Sequence, residues 1–368
     1  MIETKQEKLA DIIVNHSLKV QPQEKVLIIT ETTYPKDLVI KIINKIYEKE
    51  AFPFVKIIDS KIISKINENL KEEAIDTFVK LKQFEVDNYD SFITIRYSEN
   101  DYEQKNENKK MCNLLGKKSI EVDDIRINKR KWVLLNYPSP LDAHKAKMGT
   151  VEFTNFAYDA MTVDYDKMYQ ELLPLKQLME KTDKVKIVGD DTDITFSIKD
   201  IPAIICAGES NIPDGEVFTA PVKDSVNGYI TYNTPSPYKG NVYTNVKLTF
   251  KDGKIIHATC DNDEEKLNEI LDTDEGARYI GEFSLGVNQN ILHPIGDILY
   301  DEKIYGSIHF TPGKAYKDAF NGNTSAIHWD LVRIGRSDYG NDSIYFDDVL
   351  IRKNGLFTID SLQKLNKK

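Results

Sequence analysis

Imidazole and carboxylate side chains do most metal-assisted and acid–base chemistry near neutral pH, and here they gather in one half of the chain. Between Glu282 and Asp330 lie three of the six histidines, and two of them, His309 and His328, sit among several carboxylates. The tightest arrangement is His328-Trp329-Asp330. On a strand, side chains two apart share a face, so His328 and Asp330 project together while Trp329 packs the other way. A neutral imidazole beside a carboxylate suits a hard or borderline divalent cation such as Zn²⁺, Co²⁺ or Mn²⁺. Upstream, Asn211-Ile212-Pro213-Asp214-Gly215-Glu216 offers a further carboxylate on a turn. With Glu302 and Tyr316 the dispersed set becomes Glu216, Glu282, Glu302, His309, Tyr316, His328 and Asp330. Carboxylates outnumber histidines in it, which fits two divalent ions better than one. Two ions about 3.5–4 Å apart stabilise both the attacking and the departing oxygen and make hydroxide accessible at neutral pH. Without cations the same carboxylates would repel one another and take up protons. The expectation is a metal-dependent hydrolase.

Other hydrolytic and ligand-binding designs leave no trace. The chain has neither HExxH nor GxSxG, and no glycine-rich phosphate loop follows any apolar run. Cys112, Cys206 and Cys260 are far apart and form no CxxC pair, so they read as free thiols in a reducing compartment. A net charge of −10 argues against a general nucleic-acid binder. No run approaches the ~20 apolar residues that span a bilayer, and the N-terminus lacks a secretory h-region. The expectation is a cytoplasmic protein with neither membrane nor nucleic acid as partner. The remaining histidines, His16, His144, His257 and His293, read as core or surface residues, His293 as one that ends a helix or contacts its dipole.

Two textures of sequence must position these groups. At 368 residues the chain is long enough for two domains. In the first half, short β-branched runs such as Val26-Leu27-Ile28-Ile29, Ser91-Phe92-Ile93-Thr94-Ile95 and Lys131-Trp132-Val133-Leu134-Leu135 alternate with helical periods, among them a long one over 62–84. That alternation predicts an α/β domain with a mostly parallel sheet. From Val185 short β runs dominate, and Asp252-Gly253 between two of them predicts a hairpin. We therefore expect an α/β scaffold over 1–180 and a β-rich α+β domain over 181–368 that carries the metal site.

Four ordered segments, NIPDGEVFTAPV, ARYIGEFSLGVN, DEKIYGSIHFTPGKAY and SAIHWD, resemble the aminopeptidase T and aminopeptidase S family of metallopeptidases. The likeness extends across essentially the whole chain, with WVLLNYPSP and VEFTNFAYDAMTVDYDKM as weaker matches. It implies that Glu216 and Glu282 are the two active-site glutamates, Glu282 bridging the ions. Glu302, His309, His328 and Asp330 are implied as further metal ligands, and Tyr316 as a donor to a tetrahedral oxyanion. It further implies two divalent ions (Zn, Co, Mn or Mg), short peptides with a free N-terminus as substrates, and a homodimer. The chain departs from the pattern at Thr311-Pro312-Gly313 and in the short link from Tyr316 to His328. Two other readings stay open on the residues alone: a metal-dependent dipeptidase or amidase for a small non-peptide amide, and a non-catalytic two-domain binding protein holding a structural cation.

Overall fold

Runs of β-branched residues form the centre of the first unit because helices cover both faces of the sheet they build. In the computed structural model, which describes residues 2–31, 34–238 and 240–367, this unit comprises Met1–Thr162 with Gly208–Pro213. The strand Lys25–Glu31 lies between Phe52–Ile58 and Ser91–Arg96; Lys131–Asn136 and the short Asn211–Ile212 follow, and every neighbour is parallel. Leu27, Ile29 and Phe92 on one face meet Val86 and Val122 from the helices Glu72–Asn88 and Lys109–Lys129. The single helix expected over 62–84 is two, Ser60–Glu68 and Glu72–Asn88. Asn69 ends the first, and the chain buries Leu70 before the second begins.

The second unit takes Val163–Ala207 and Asp214–Lys368. Its division from the first precedes the boundary expected at 180 by one helix. Tyr165–Met179 buries Leu172, Leu175 and Met179 within the second unit, packing on the strand Ile204–Cys206 and the turn Asp360–Leu365. A stripe of apolar residues tells which face of a helix is buried, not which sheet it covers. The excursion Gly208–Pro213 also carries no local signal, because its strand has only two residues.

Two large antiparallel sheets make up most of this unit, beside the two-stranded pair Ser236–Tyr238 and Asn241–Tyr243. The larger runs Lys254–Thr259, Lys247–Lys251, Asn227–Thr231, Thr192–Ser197, Lys184–Gly189, Ser343–Phe346, Val349–Lys353, Leu356–Phe357. The smaller runs Val332–Ile334, Ser307–Pro312, Ile280–Gly286, Glu216–Thr219, Ile204–Cys206. They face each other through aromatic rings: Phe196 lies 4.9 Å from both Phe283 and Phe310, and Phe250 lies 5.9 Å from Phe310. The expected hairpin is present, with Asp252 and Gly253 both at positive φ. No helix among the described residues is long and apolar enough to cross a membrane.

Candidate metal centre

Strand alternation builds the floor of the site. In Ile280–Gly286, Phe283 and Leu285 point into the aromatic core, so Glu282 and Ser284 point out of the opposite face. Pairing sets Ser284 against His309 and Glu282 against Thr311 on one side, and Ser284 against Phe218 on the other. Glu216, two residues before Phe218, joins that face at the first position of its strand rather than on a turn as expected. Glu282 Oε1 is 2.9 Å from His309 Nε2, and Ser284 Oγ donates to Glu216 Oε2 at 2.8 Å.

Two loops close over this floor, and two glycines let them approach. A side chain at Gly286 would meet the carbonyls of Ile304 and Glu302, so its absence admits the segment bearing Glu302 and Lys303. That segment follows a short helix, Ile298–Asp301, capped by Asp297 and braced where Asp301 accepts from the backbone N–H of Ile295 and Gly296. A side chain at Gly281 would meet the carbonyls of Gly313 and Lys314, the latter being the acceptor for His328 Nδ1 at 2.8 Å. A carbonyl only accepts, so Nδ1 carries the hydrogen and Nε2 turns to Asp330 Oδ1 at 3.2 Å and Glu282 Oε2 at 3.4 Å. His328-Trp329-Asp330 is not a strand; one bridge from His328 to Gly313 holds it. Its side chains still alternate as expected, with Trp329 buried against Tyr238 and Tyr243. Thr311 Oγ1 donates to Asp330 Oδ1 at 2.7 Å.

Charge balance in so buried a cluster is tight. Burial pushes Glu302 up to about 8, and burial also raises Glu282. Burial opposes charge on His309, but Glu216 and Glu282 outweigh it and hold the imidazole at about 10. His328 likewise loses by burial, yet Asp330 and Glu282 carry it to about 9. Asp330 resists the upward push of burial and falls below the usual carboxylate range because His328 faces it. The cluster is short of positive charge and recruits protons to supply it.

The donor set fits divalent cations. Three overlapping groups, Glu216/Glu282/His309, Glu282/His328/Asp330 and Glu302/His309/Asp330, each bring their ligand atoms within 4.8 Å of one another. His309 Nδ1 is buried with no hydrogen-bond partner among the described residues. All six expected ligands therefore converge, and Glu282 belongs to two of the groups. Tyr316 stands at the rim, its ring 4.7 Å from that of His328 and 5.9 Å from Phe218. Lys303, Ser284, Thr311, Asp214 and Cys206 also border the cluster, though the sequence assigns none of them to the site. The period-two spacing of Ser284 from Glu282 and Thr311 from His309 was a usable signal; the lysine in Asp301-Glu302-Lys303 reads as solvated and is in fact buried. His293 lies in an irregular segment rather than at a helix end, its Nδ1 3.0 Å from the Tyr339 hydroxyl.

Comparison with known proteins decides the family. The model of the thermophilic metalloprotease (M29) family matches residues 2–357. The chain belongs to that family. Among its relatives, "Aminopeptidase 2" of Geobacillus stearothermophilus is 36% identical over 165 residues, 43% of this chain and 38% of the relative. "Aminopeptidase AmpS" of Bacillus subtilis is 30% identical over 257 residues, 62% of this chain and 61% of the relative. These alignments thus span about two fifths to three fifths of the curated relatives. The fold of this M29 chain is that of the wild-type AmpT structure from Thermus thermophilus, with a TM-score of 0.81 at 19% identity over 98% of this chain and all of the other.

Proposed function

We propose that the chain is an aminopeptidase that hydrolyses the N-terminal peptide bond of short peptides, with two divalent ions held by Glu216, Glu282, Glu302, His309, His328 and Asp330. The observation that carries this reading is the convergence of those six side chains in overlapping triads, three from a buried sheet face and three from the loops over it. The relatives named above and their fellows, each called an aminopeptidase, support the choice of an exopeptidase. Zn, Co, Mn or Mg would serve there as Lewis acids that polarise a carbonyl and make water nucleophilic at neutral pH.

The protein's own groups do the rest. Glu282 touches both imidazoles, which suits a ligand shared between two cations. Glu216 or Glu282 takes the proton of the attacking water and returns it to the departing amine. Tyr316, at the rim, donates its hydroxyl to the oxyanion. The surplus of carboxylates favours a substrate with a free, positively charged N-terminus over an acyl-blocked one.

The reading extends to a homodimer in the cytoplasm. Three unpaired thiols, Cys112, Cys206 and Cys260, support a reducing compartment. Sedimentation at graded concentration checks the dimer. The activity is tested with amino-acid arylamides against their acyl-blocked analogues, each with and without chelator. Cleavage of only the free-amine substrates, lost on chelation and recovered with added divalent ion, is expected; equal cleavage of blocked substrates would point to an amidase.

A further inference from the structure

One cation is already built into the site, and it is a side chain. Lys303 is 1% exposed, and its Nζ hydrogen-bonds Glu216 Oε1, lies 2.7 Å from Glu302 Oε1 and 3.5 Å from Asp214 Oδ1. The second oxygen of Glu216 is taken as well, by Ser284 Oγ at 2.8 Å. Each oxygen of Glu216 therefore already accepts a hydrogen bond, one of them from an ammonium. The opposite end of the cluster differs. Glu282, His328 and Asp330 have Thr311, the Lys314 carbonyl and the His309 imidazole as neighbours, and none of these contacts is to a lysine ammonium.

We infer that Lys303 is a positioning residue that makes the two cation sites unequal: its ammonium competes for Glu216 and Glu302, so the ion at Glu216/Glu282/His309 is weak and exchangeable while the ion at Glu282/His328/Asp330 is tight. This rests on the dinuclear reading above. A divalent ion arriving at Glu216 must share that carboxylate with a resident positive charge in a water-poor setting, where like charges repel strongly. It must also displace a lysine hydrogen bond that the geometry already satisfies. Neither cost applies at Asp330. A neighbouring fourth group, Cys206/Asp214/Glu216, falls under the same ammonium, so Lys303 also keeps ions out of that corner.

The test is calorimetric titration of the chelator-stripped full-length chain with Co²⁺, read as stoichiometry and two separate affinities. The wild-type chain should take one ion at least about tenfold more tightly than the second. Lys303→Met should tighten the weaker event by roughly tenfold or more and leave the tighter one within about twofold. Lys303→Arg, which keeps the charge, should behave as wild type; a merely structural lysine would not move one affinity selectively. Should circular dichroism find the methionine variant unfolded, Lys303→Gln carries the test, since it keeps a donor without the charge. Two equal affinities in the wild type, or a weak site unmoved or weakened in the uncharged variants, would overturn the inference while sparing the dinuclear reading. Uptake of one ion or none in every variant would overturn both.

Discussion

In the strand Lys25–Glu31, Val26, Leu27, Ile28 and Ile29 are all buried, and side chains facing either way are aliphatic. In Ile280–Gly286 every residue is buried too, yet Glu282 and Ser284 alternate with Phe283 and Leu285. The first strand sits in a parallel sheet with helices on both sides, so burial there removes mostly apolar surface from water, Thr30 being the one buried polar side chain. The second has an apolar face against a neighbouring sheet and a charged face beneath loops. Buried charge costs heavily unless it is paired, which explains why every carboxylate of the site touches an imidazole, an ammonium or a hydroxyl. Equal burial thus hides opposite roles, and orientation within one strand separates them.

The strongest way to break this contrast is to alter neighbours in that strand. Glu282→Gln keeps size but removes the charge that both imidazoles face. Turnover of a free-amine arylamide should fall on the order of 10³-fold or more, with reduced metal uptake by elemental analysis and an unchanged circular dichroism spectrum. Phe283→Ala, one residue on, should do the reverse. It opens a cavity between Phe196 and Phe310 and should cost about 3–5 kcal/mol in denaturant unfolding, with activity per folded molecule retained. Similar losses of stability in both variants, or of activity in both, would dissolve the distinction between the two faces.

What the sequence revealed follows the same division. The aliphatic runs of the first unit announce buried strands because they are brief, rich in β-branched residues and alternate with helical periods. The hairpin at Asp252-Gly253 was legible because the turn needs residues that tolerate positive φ. Glu282, His309, His328 and Asp330 were legible as chemistry, since carboxylate and imidazole types are rare in a core without a task. Lys303 was not: next to Asp301 and Glu302 it resembles any solvated charge, and only the close approach allowed by Gly286 buries it. Nor was the assignment of the helix Tyr165–Met179, because which sheet a helix covers is decided by contacts distant in sequence.

Smaller effects sharpen the comparison. Ile28→Ala in the aliphatic strand should cost about 2–4 kcal/mol of stability, measured by denaturant unfolding, and leave kcat of the folded fraction unchanged. Tyr316→Phe deletes one hydroxyl at the rim, beside the His328 ring. It should lower kcat roughly tenfold to a hundredfold with little change in KM or melting temperature, as expected of a donor used mainly when the oxyanion forms. A KM effect alone would make Tyr316 a substrate contact instead.

The mildest case lies in the first unit, where the helix Ser60–Glu68 buries little: Ser64 is its one buried residue, and Ile62, Ile63 and Ile66 stay exposed. Such a helix depends on its end groups more than on packing. Asp59 caps it by accepting from the Ile62 backbone N–H at 3.0 Å. Asp59→Ala leaves that donor without its side-chain acceptor and should weaken the helix by about 1 kcal/mol, seen as faster amide exchange confined to residues 60–68. Activity should not change, because the helix carries none of the metal-binding groups. The short helix before Glu302 is capped by the same chemistry, through Asp297. If Asp59→Ala lowered turnover, the first unit would be more than a scaffold, and the contrast between an inert sheet and a reactive one would have to be redrawn.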